Sequence, residues 1–219
     1  MMKIVFSLIF TVVFSYLIGS VNSAITVCKV SKKDDIRNHG SKNAGLTNML
    51  RVYGKNAALA TLLCDLAKGV VAVVVCRLVV TRALDVTFFN NKLFIGYIAG
   101  LFVMLGHIFP VFYGFHGGKG VLIAATTLIA IDPLTCLFAV IVFAIVLVIT
   151  RYVSVSSISA AVSYPIFTII IQSLRHIDGA WQNMIMACVI AIMIIYMHKS
   201  NIKRLREGTE NKFSFGSKK

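Results

Sequence analysis

Seven apolar stretches punctuate the chain, at 4–27, 57–80, 93–112, Val121–Ile131, 134–150, 155–174 and 181–197. Each is bounded by charged residues, glycine or proline, and all but one approach or exceed the ~18 to 20 residues that cross a bilayer as helix. The exception, Val121–Ile131, would be only about 17 Å long at 1.5 Å per residue. Asp132 and Pro133 follow it, so it reads either as a short span of its own or as half of one broken span with 134–150. Charge arbitrates. A reversal at Asp132 keeps Lys119, Arg151 and the basic tail from Lys199 onward on the side that holds the basic loop 29–55, whereas a single span would export the tail. The positive-inside rule thus predicts an all-α, polytopic membrane protein with seven transmembrane helices, the amino terminus outside and the carboxyl terminus cytoplasmic. On that topology every Lys and Arg except Lys3, Lys68, Arg77, Arg82, Lys92 and Arg175 faces the cytoplasm. Residues 1–24 also have the layout of a cleaved signal peptide, with Lys3, an apolar core and small residues at Ser23 and Ala24. Cleavage there would strand loop 29–55 outside, against the same charge rule. With no internal repeat and no low-complexity linker, residues 1–219 read as a single domain.

Composition changes the picture from plausible to constrained. Of 219 residues 58% are hydrophobic and 14% charged, and mean hydropathy is +0.86, too oily to cover the surface of a water-soluble fold of this length. The 22 Lys and Arg against 8 Asp and Glu leave +14, a surplus that calls for anionic lipid, an anionic substrate or both. Nucleic acid is the lesser alternative, and no nucleic-acid partner is expected. Five cysteines lie in or beside apolar runs without metal spacing, so neither a disulfide framework nor a metal site is expected.

Polar residues gather in three islands, all on the predicted cytoplasmic side. The first, DDIRNHGSKNAGLTNMLRVYGK at 34–55, lies between spans one and two and offers Ser41, Asn43, Thr47 and Asn48 as donors. Gly40 and Gly45 permit the turns that aim successive amides at an oxyanion, and Arg37, Lys42 and Arg51 stand beside them. The second, GHIFPVFYGFHGGKG at 106–120, sets Gly117, Gly118 and Gly120 around Lys119 at the start of span four. It is not a Walker loop, which needs glycine where Tyr113 stands and Ser or Thr where Gly120 stands. His107 reads as a structural histidine inside span three. The third, YMHKSNIKRLREGTENKF at 196–213, places His198 and Asn201 three apart, on one face of a continued helix, amid a basic collar that also suits anionic headgroups. His198 can move a proton near neutral pH and Asn201 can orient a hydroxyl. Asp65 and Lys68, three apart in span two, are expected to pair, and Ser154 offers a hydroxyl before span six.

In this order the islands resemble the bacterial PlsY family of membrane acyl-phosphate:glycerol-3-phosphate acyltransferases. The likeness runs almost end to end: Gly19 and Ser20, the RNxGSxNxGxTN pattern from Arg37 to Asn48, DLAKG from Asp65, GHIFPVFYGFHGGKG, RYVSVSSI from Arg151, and HKSNIKRLREGTENKF from His198. Departures are Leu122 and Ile123, where the family usually has Ala and Thr, and Asn22 and Ala24, where it often has Pro and Gly. The resemblance implies acyl transfer from acyl phosphate to the 1-hydroxyl of glycerol 3-phosphate, giving lysophosphatidic acid and inorganic phosphate, at the cytoplasmic face of a bacterial inner membrane. It implies no cofactor, contact with membrane lipids, and the enzyme that makes acyl phosphate as a candidate partner. Carried onto matching positions, it puts Ser41, Asn43, Gly45, Thr47 and Asn48 around the donor phosphate and Arg51, Lys119 and Ser154 around glycerol 3-phosphate. His198 and Asn201 then stand near the attacking hydroxyl, and the loop of Gly117, Gly118 and Gly120 could cradle either phosphate. Whether His198 or the substrate phosphate removes the proton stays open.

An acyl phosphate is already activated, so no enzyme nucleophile is needed, and positioning with charge stabilisation should dominate. The acyltransferase chemistry of a His followed five residues later by Asp is excluded, because Ala44, Phe112, Val121, Trp181 and Lys203 occupy those places. An organophosphate or anion transporter is the alternative, but transporters place polar sites near the bilayer midplane. Here they cluster on one face.

Overall fold

The computed structural model describes residues 1–213, and Lys218 and Lys219 of the basic tail lie outside the described residues. The chain forms α1 (Met2–Ser20), α2 (Ser23–Lys32), α3 (Leu46–Arg77), α4 (Phe94–Ile108), α5 (Val121–Ile131), α6 (Pro133–Thr150), α7 (Val153–Leu174), α8 (Ala180–Met197) and α9 (Lys199–Arg206), with a π-helical turn, Leu78–Ala83, continuing α3. Among the described residues six helical stretches are long and apolar enough to cross a membrane: Met2–Lys32, Leu46–Ala83, Phe94–Tyr113, Pro133–Thr150, Val153–Leu174 and Ala180–Met197. Helix α5 is the expected short element, ending where Asp132 turns extended before Pro133 opens α6. The chain divides into two compact units, the first Met1–Asp132 and the second beginning at Pro133.

In the first unit α1 presents Ser7, Thr11, Ser15 and Gly19 at four-residue spacing, all buried. This small-residue stripe lets α1 and α4 approach closely: a Cβ on Gly19 would strike the backbone of Val103, and one on Gly106 the carbonyl of Tyr16. The buried hydroxyls of Ser7 and Thr11 are satisfied within the helix, each 2.7 Å from the carbonyl four residues back. The opposite face, with Phe6, Ile9 and Val13 exposed, suits lipid. Helix α3 packs on α1, α4 and α5.

Two boundaries differ from the sequence expectation. The first span is not one continuous helix: Val21 leaves the helical region and Asn22 caps α2, its side-chain oxygen accepting the Ile25 amide at 3.1 Å. Hydropathy is blind to such a break, because a capping asparagine flanked by apolar residues barely changes a window average. Helix α3 also starts well before the apolar window, at Leu46, so Thr47, Asn48 and Arg51 ride its first turns instead of a loop, with a kink at Gly54 (φ 78°, ψ −170°).

In the second unit α7 packs on both α6 and α8. A buried amide pair, Asn183 Nδ2 donating to Gln172 Oε1 at 2.8 Å, pins α8 to α7. Ser154 at the start of α7 and His198 at the end of α8 therefore come to the same end of the unit.

Candidate functional site

The first two polar islands meet in the first unit. Arg37 is bidentate to Asp35, with Nη2 to Oδ2 at 2.7 Å, and its Nη1 donates to the carbonyls of Tyr113 at 2.7 Å and His116 at 3.1 Å. One guanidinium thus ties segment 35–39 to segment 113–116, and its hydrogen bonds hold the Asp35 carboxyl below the usual aspartate range. Asn22 makes a second tie, its Nδ2 lying 3.4 Å from Ala44 O and 3.3 Å from His107 O. His107 O also accepts the Gly118 amide at 3.1 Å, and Ile108 O accepts that of Gly117 at 3.0 Å. The glycine loop is thereby folded back on the end of α4. A Cβ on Gly117 would strike His107 O, and one on Gly118 would fall on the His107 ring and Ala44 O, so no side chain fits at either place. Lys119 is partly buried beside them, and Gly120 (φ 82°) caps the α5 amino terminus, where free amides and the helix dipole favour an anion.

Within the first island the expected donors divide. Asn48, 1% exposed, spends its side chain on the loop itself: Oδ1 accepts the Ser41 amide at 2.9 Å, and Nδ2 points at the carbonyls of His39, Asn43 and Ile36 at 3.0 to 3.3 Å. Asn48 therefore shapes the loop. The side chains of Ser41, Asn43, Thr47 and Arg51 have no hydrogen-bond or ion-pair partner among the described residues, and Gly45 stands as the α3 N-cap beside the Asn43 amide. Their polar groups are therefore not spent on the loop's own hydrogen bonds.

Beneath the glycine loop lies a buried polar network. Lys68 Nζ reaches Asp65 Oδ1 at 2.8 Å, Val21 O at 3.1 Å and His107 Nδ1 at 3.2 Å. An ammonium has three protons and here three acceptors, so His107 Nδ1 accepts and its proton sits on Nε2, under Gly118. Ser23 Oγ donates to Asp65 Oδ1 at 2.6 Å. The sequence pointed to the Asp65–Lys68 pair, but Ser23, Asn22 and the link to His107 carried no local signal.

The third island forms in the second unit. Helix α8 ends at His198, whose Nδ1 donates to Ile194 O at 2.8 Å, which makes Nε2 the basic nitrogen. Asn201 is one turn on in α9, both residues being buried. After Arg206 the chain reverses at Gly208 (φ 69°) and brings back Glu210, which the sequence reading did not single out. Glu210 Oε1 accepts from Asn201 Nδ2 at 2.6 Å and Ser154 Oγ at 2.8 Å, and Oε2 from Arg204 Nε at 2.7 Å. The one hint was an acid just past a glycine in a segment where basic residues outnumber the two acids. Burial opposes the Glu210 charge, but the hydrogen bonds from Asn201, Arg204 and Ser154 outweigh it and hold its carboxyl below the ordinary 4.5. A depressed folded value means the docking energy is complete above pH 4.5 and is lost as pH falls through that lower value. Limited proteolysis around Lys212 should accelerate in acid for the native chain, and already at neutral pH for Glu210→Gln.

The chain matches the family model described as glycerol-3-phosphate acyltransferase over residues 9–208. A glycerol-3-phosphate acyltransferase of Chlorobaculum parvum is 41% identical, the match covering 92% of this chain and 94% of that one. One of Ureaplasma parvum is 34% identical, over 96% and 90%. Two crystal structures of PlsY, an integral membrane glycerol 3-phosphate acyltransferase, share the fold. The glycerol 3-phosphate form aligns with TM-score 0.79 at 34% identity and the lysophosphatidic acid form with 0.76 at 32%, each over 95% of this chain and 96% of the other.

Proposed function

Because this chain belongs to the PlsY family of integral-membrane glycerol-3-phosphate acyltransferases, we propose that it moves an acyl group from acyl phosphate to the 1-hydroxyl of sn-glycerol 3-phosphate. The new ester bond joins that oxygen to the acyl carbon, the bond from acyl carbon to phosphate oxygen breaks, and lysophosphatidic acid and inorganic phosphate leave. This would be the first acylation of phospholipid synthesis. The protein crosses the inner membrane of a bacterium seven times, with its amino terminus outside and its chemistry at the cytoplasmic face. Residues 1–219 work as a single acyltransferase domain whose partners are membrane lipids and the enzyme that makes acyl phosphate.

The observation that supports this reading most is the joining of two donor-rich segments by Arg37 and Asn22 around a glycine loop that admits no side chain. Both substrates carry phosphate, and that is the chemistry such a surface accepts. In our reading Ser41, Asn43, Gly45 and Thr47 receive the donor phosphate, with Asn48 holding their loop in shape. Arg51, Lys119 and Ser154 receive glycerol 3-phosphate, Ser154 as an acceptor because its proton is given to Glu210, while Gly117 and Gly118, their amides held by Ile108 O and His107 O, set the loop whose Gly120 opens α5 to either phosphate. Asn201 orients the attacking hydroxyl, and its proton passes to His198 Nε2 or to the substrate phosphate. A mixed anhydride has a good leaving group, so charge stabilisation carries most of the rate.

Purified protein given radiolabelled glycerol 3-phosphate and acyl phosphate should yield labelled lysophospholipid, with acyl coenzyme A a poor substitute. Label taken into vesicles without lipid formation would support transport and overturn the reading. Lys119→Ala should raise the KM for glycerol 3-phosphate roughly 10- to 100-fold, the ~1.5 to 3 kcal/mol of a charge-assisted hydrogen bond, with a smaller change in kcat. An unchanged KM would remove Lys119 from the site.

A further inference from the structure

The far end of the first unit carries a second basic surface that acyl transfer does not use. From Gly54, near the polar loops, to Arg77 is about 34 Å of helix, roughly one hydrocarbon thickness. There Arg77, Arg82 and Lys92, with Val74, Leu78 and Thr81, line a cavity of about 340 Å³. Among the described residues none of these three cations has a carboxylate partner. Arg77 gives one bond, Nη1 to Ala130 O at 2.9 Å, and keeps its remaining donors for the cavity. A fourth cation stands at the same end, Lys3 Nζ being 3.4 Å from Leu84 O.

The backbone explains the gathering. In an ordinary α-helix Arg77 and Arg82, five residues apart, would diverge by about 140° at 3.6 residues per turn. The turn Leu78–Ala83 is π-helical, with Leu84 N bonded to Val79 O, and an i to i+5 ladder brings residues five apart to one side. Like charges drawn together at a cavity, at the end where the positive-inside rule expects few, need a counter-anion. The wall decides its kind. Val74 and Leu78 are 41% and 44% exposed on the face of α3 directed away from the core, aliphatic surface that suits an acyl chain.

We propose that Arg77, Arg82 and Lys92 bind the phosphodiester headgroup of an anionic glycerophospholipid, in the leaflet opposite the one that Lys119 reaches, with an acyl chain along Val74 and Leu78. The site stands apart from the assignment of the substrates. Its cations supply the charge, its size admits one headgroup, and the exposed aliphatic wall distinguishes a lipid from a free anion.

The test uses the full chain purified in micelles, with phosphatidylglycerol or phosphatidylcholine titrated and bound lipid counted by native mass spectrometry. The native protein should retain phosphatidylglycerol in preference to phosphatidylcholine. R77Q/R82Q/K92Q should weaken phosphatidylglycerol retention at least tenfold while keeping acyl-transfer activity. Should the triple variant not fold, Arg82→Gln and Lys92→Gln singly, both at exposed positions, should each weaken it severalfold. Equal retention by native and variant proteins would overturn the proposal. So would displacement of the lipid by inorganic phosphate at concentrations equal to the lipid's, which would mark a free-anion site.

Discussion

Replacing His198 by alanine is expected to lower kcat by roughly 10²- to 10⁴-fold, the range for a positioned acid–base group, with the KM for glycerol 3-phosphate little altered. The geometry carries that expectation. His198 is 3% exposed, its Nδ1 is committed to Ile194 O, and the ring is thereby oriented with a basic nitrogen on the opposite side. It sits at the junction of α8 and α9, one turn from Asn201, where the third island gathers around Glu210. The size of the effect separates the two routes for the proton. A fall confined to kcat makes His198 the base. A near-native kcat and KM in His198→Ala assign proton removal to the substrate phosphate, and a rise confined to KM makes His198 a binding group. Steady-state kinetics with both substrates varied reads all three outcomes.

The second large effect is on stability. Asp65→Ala should cost roughly 3–5 kcal/mol, because it strands the Lys68 ammonium in the interior of the first unit. Asp65 is 1% and Lys68 9% exposed, and the pair is joined at 2.8 Å. In Asp65→Ala/Lys68→Met no buried charge is left, so most of the loss should return. Thermal midpoints of the four proteins in micelles measure the coupling, and additivity within about 0.5 kcal/mol would dismiss the pair as a unit. The consequence extends to the site. Lys68 holds Val21 O beside the α1–α2 break and the ring of His107 under Gly118. Without Asp65 the glycine loop loses its floor, so the KM for glycerol 3-phosphate should rise in the single variant and recover only in part in the double one.

These two residues mark different degrees of legibility. His198 and Asn201 could be singled out from spacing, since residues three apart share a helical face whatever lies around them. Asp65 and Lys68 could be paired for the same reason. Their junction with Ser23, Val21 and His107 could not, because those groups come from segments tens of residues away. Asn48 shows the converse failure. In the sequence it is one more donor beside Ser41, Asn43 and Thr47, but in the fold it faces inward and the loop carbonyls take its amide. Glu210 does not stand out among the charges of the tail, and only the reversal at Gly208 brings it against Ser154 and Asn201.

What the amino-acid sequence determined by itself is where the chain is apolar enough for lipid, which helices are long, that α5 is short, and where basic and glycine-rich segments collect. Each of those properties is a sum over neighbouring residues, as partition between lipid and water is local and additive. The tertiary structure alone decided which polar atoms meet: Arg37 with Tyr113 O, Lys68 with His107, Glu210 with Ser154, and Arg77 with Arg82 across a π-turn. A hydrogen bond is made or lost within a few tenths of an ångström. Whether distant backbones arrive at that distance depends on every helix packed between them.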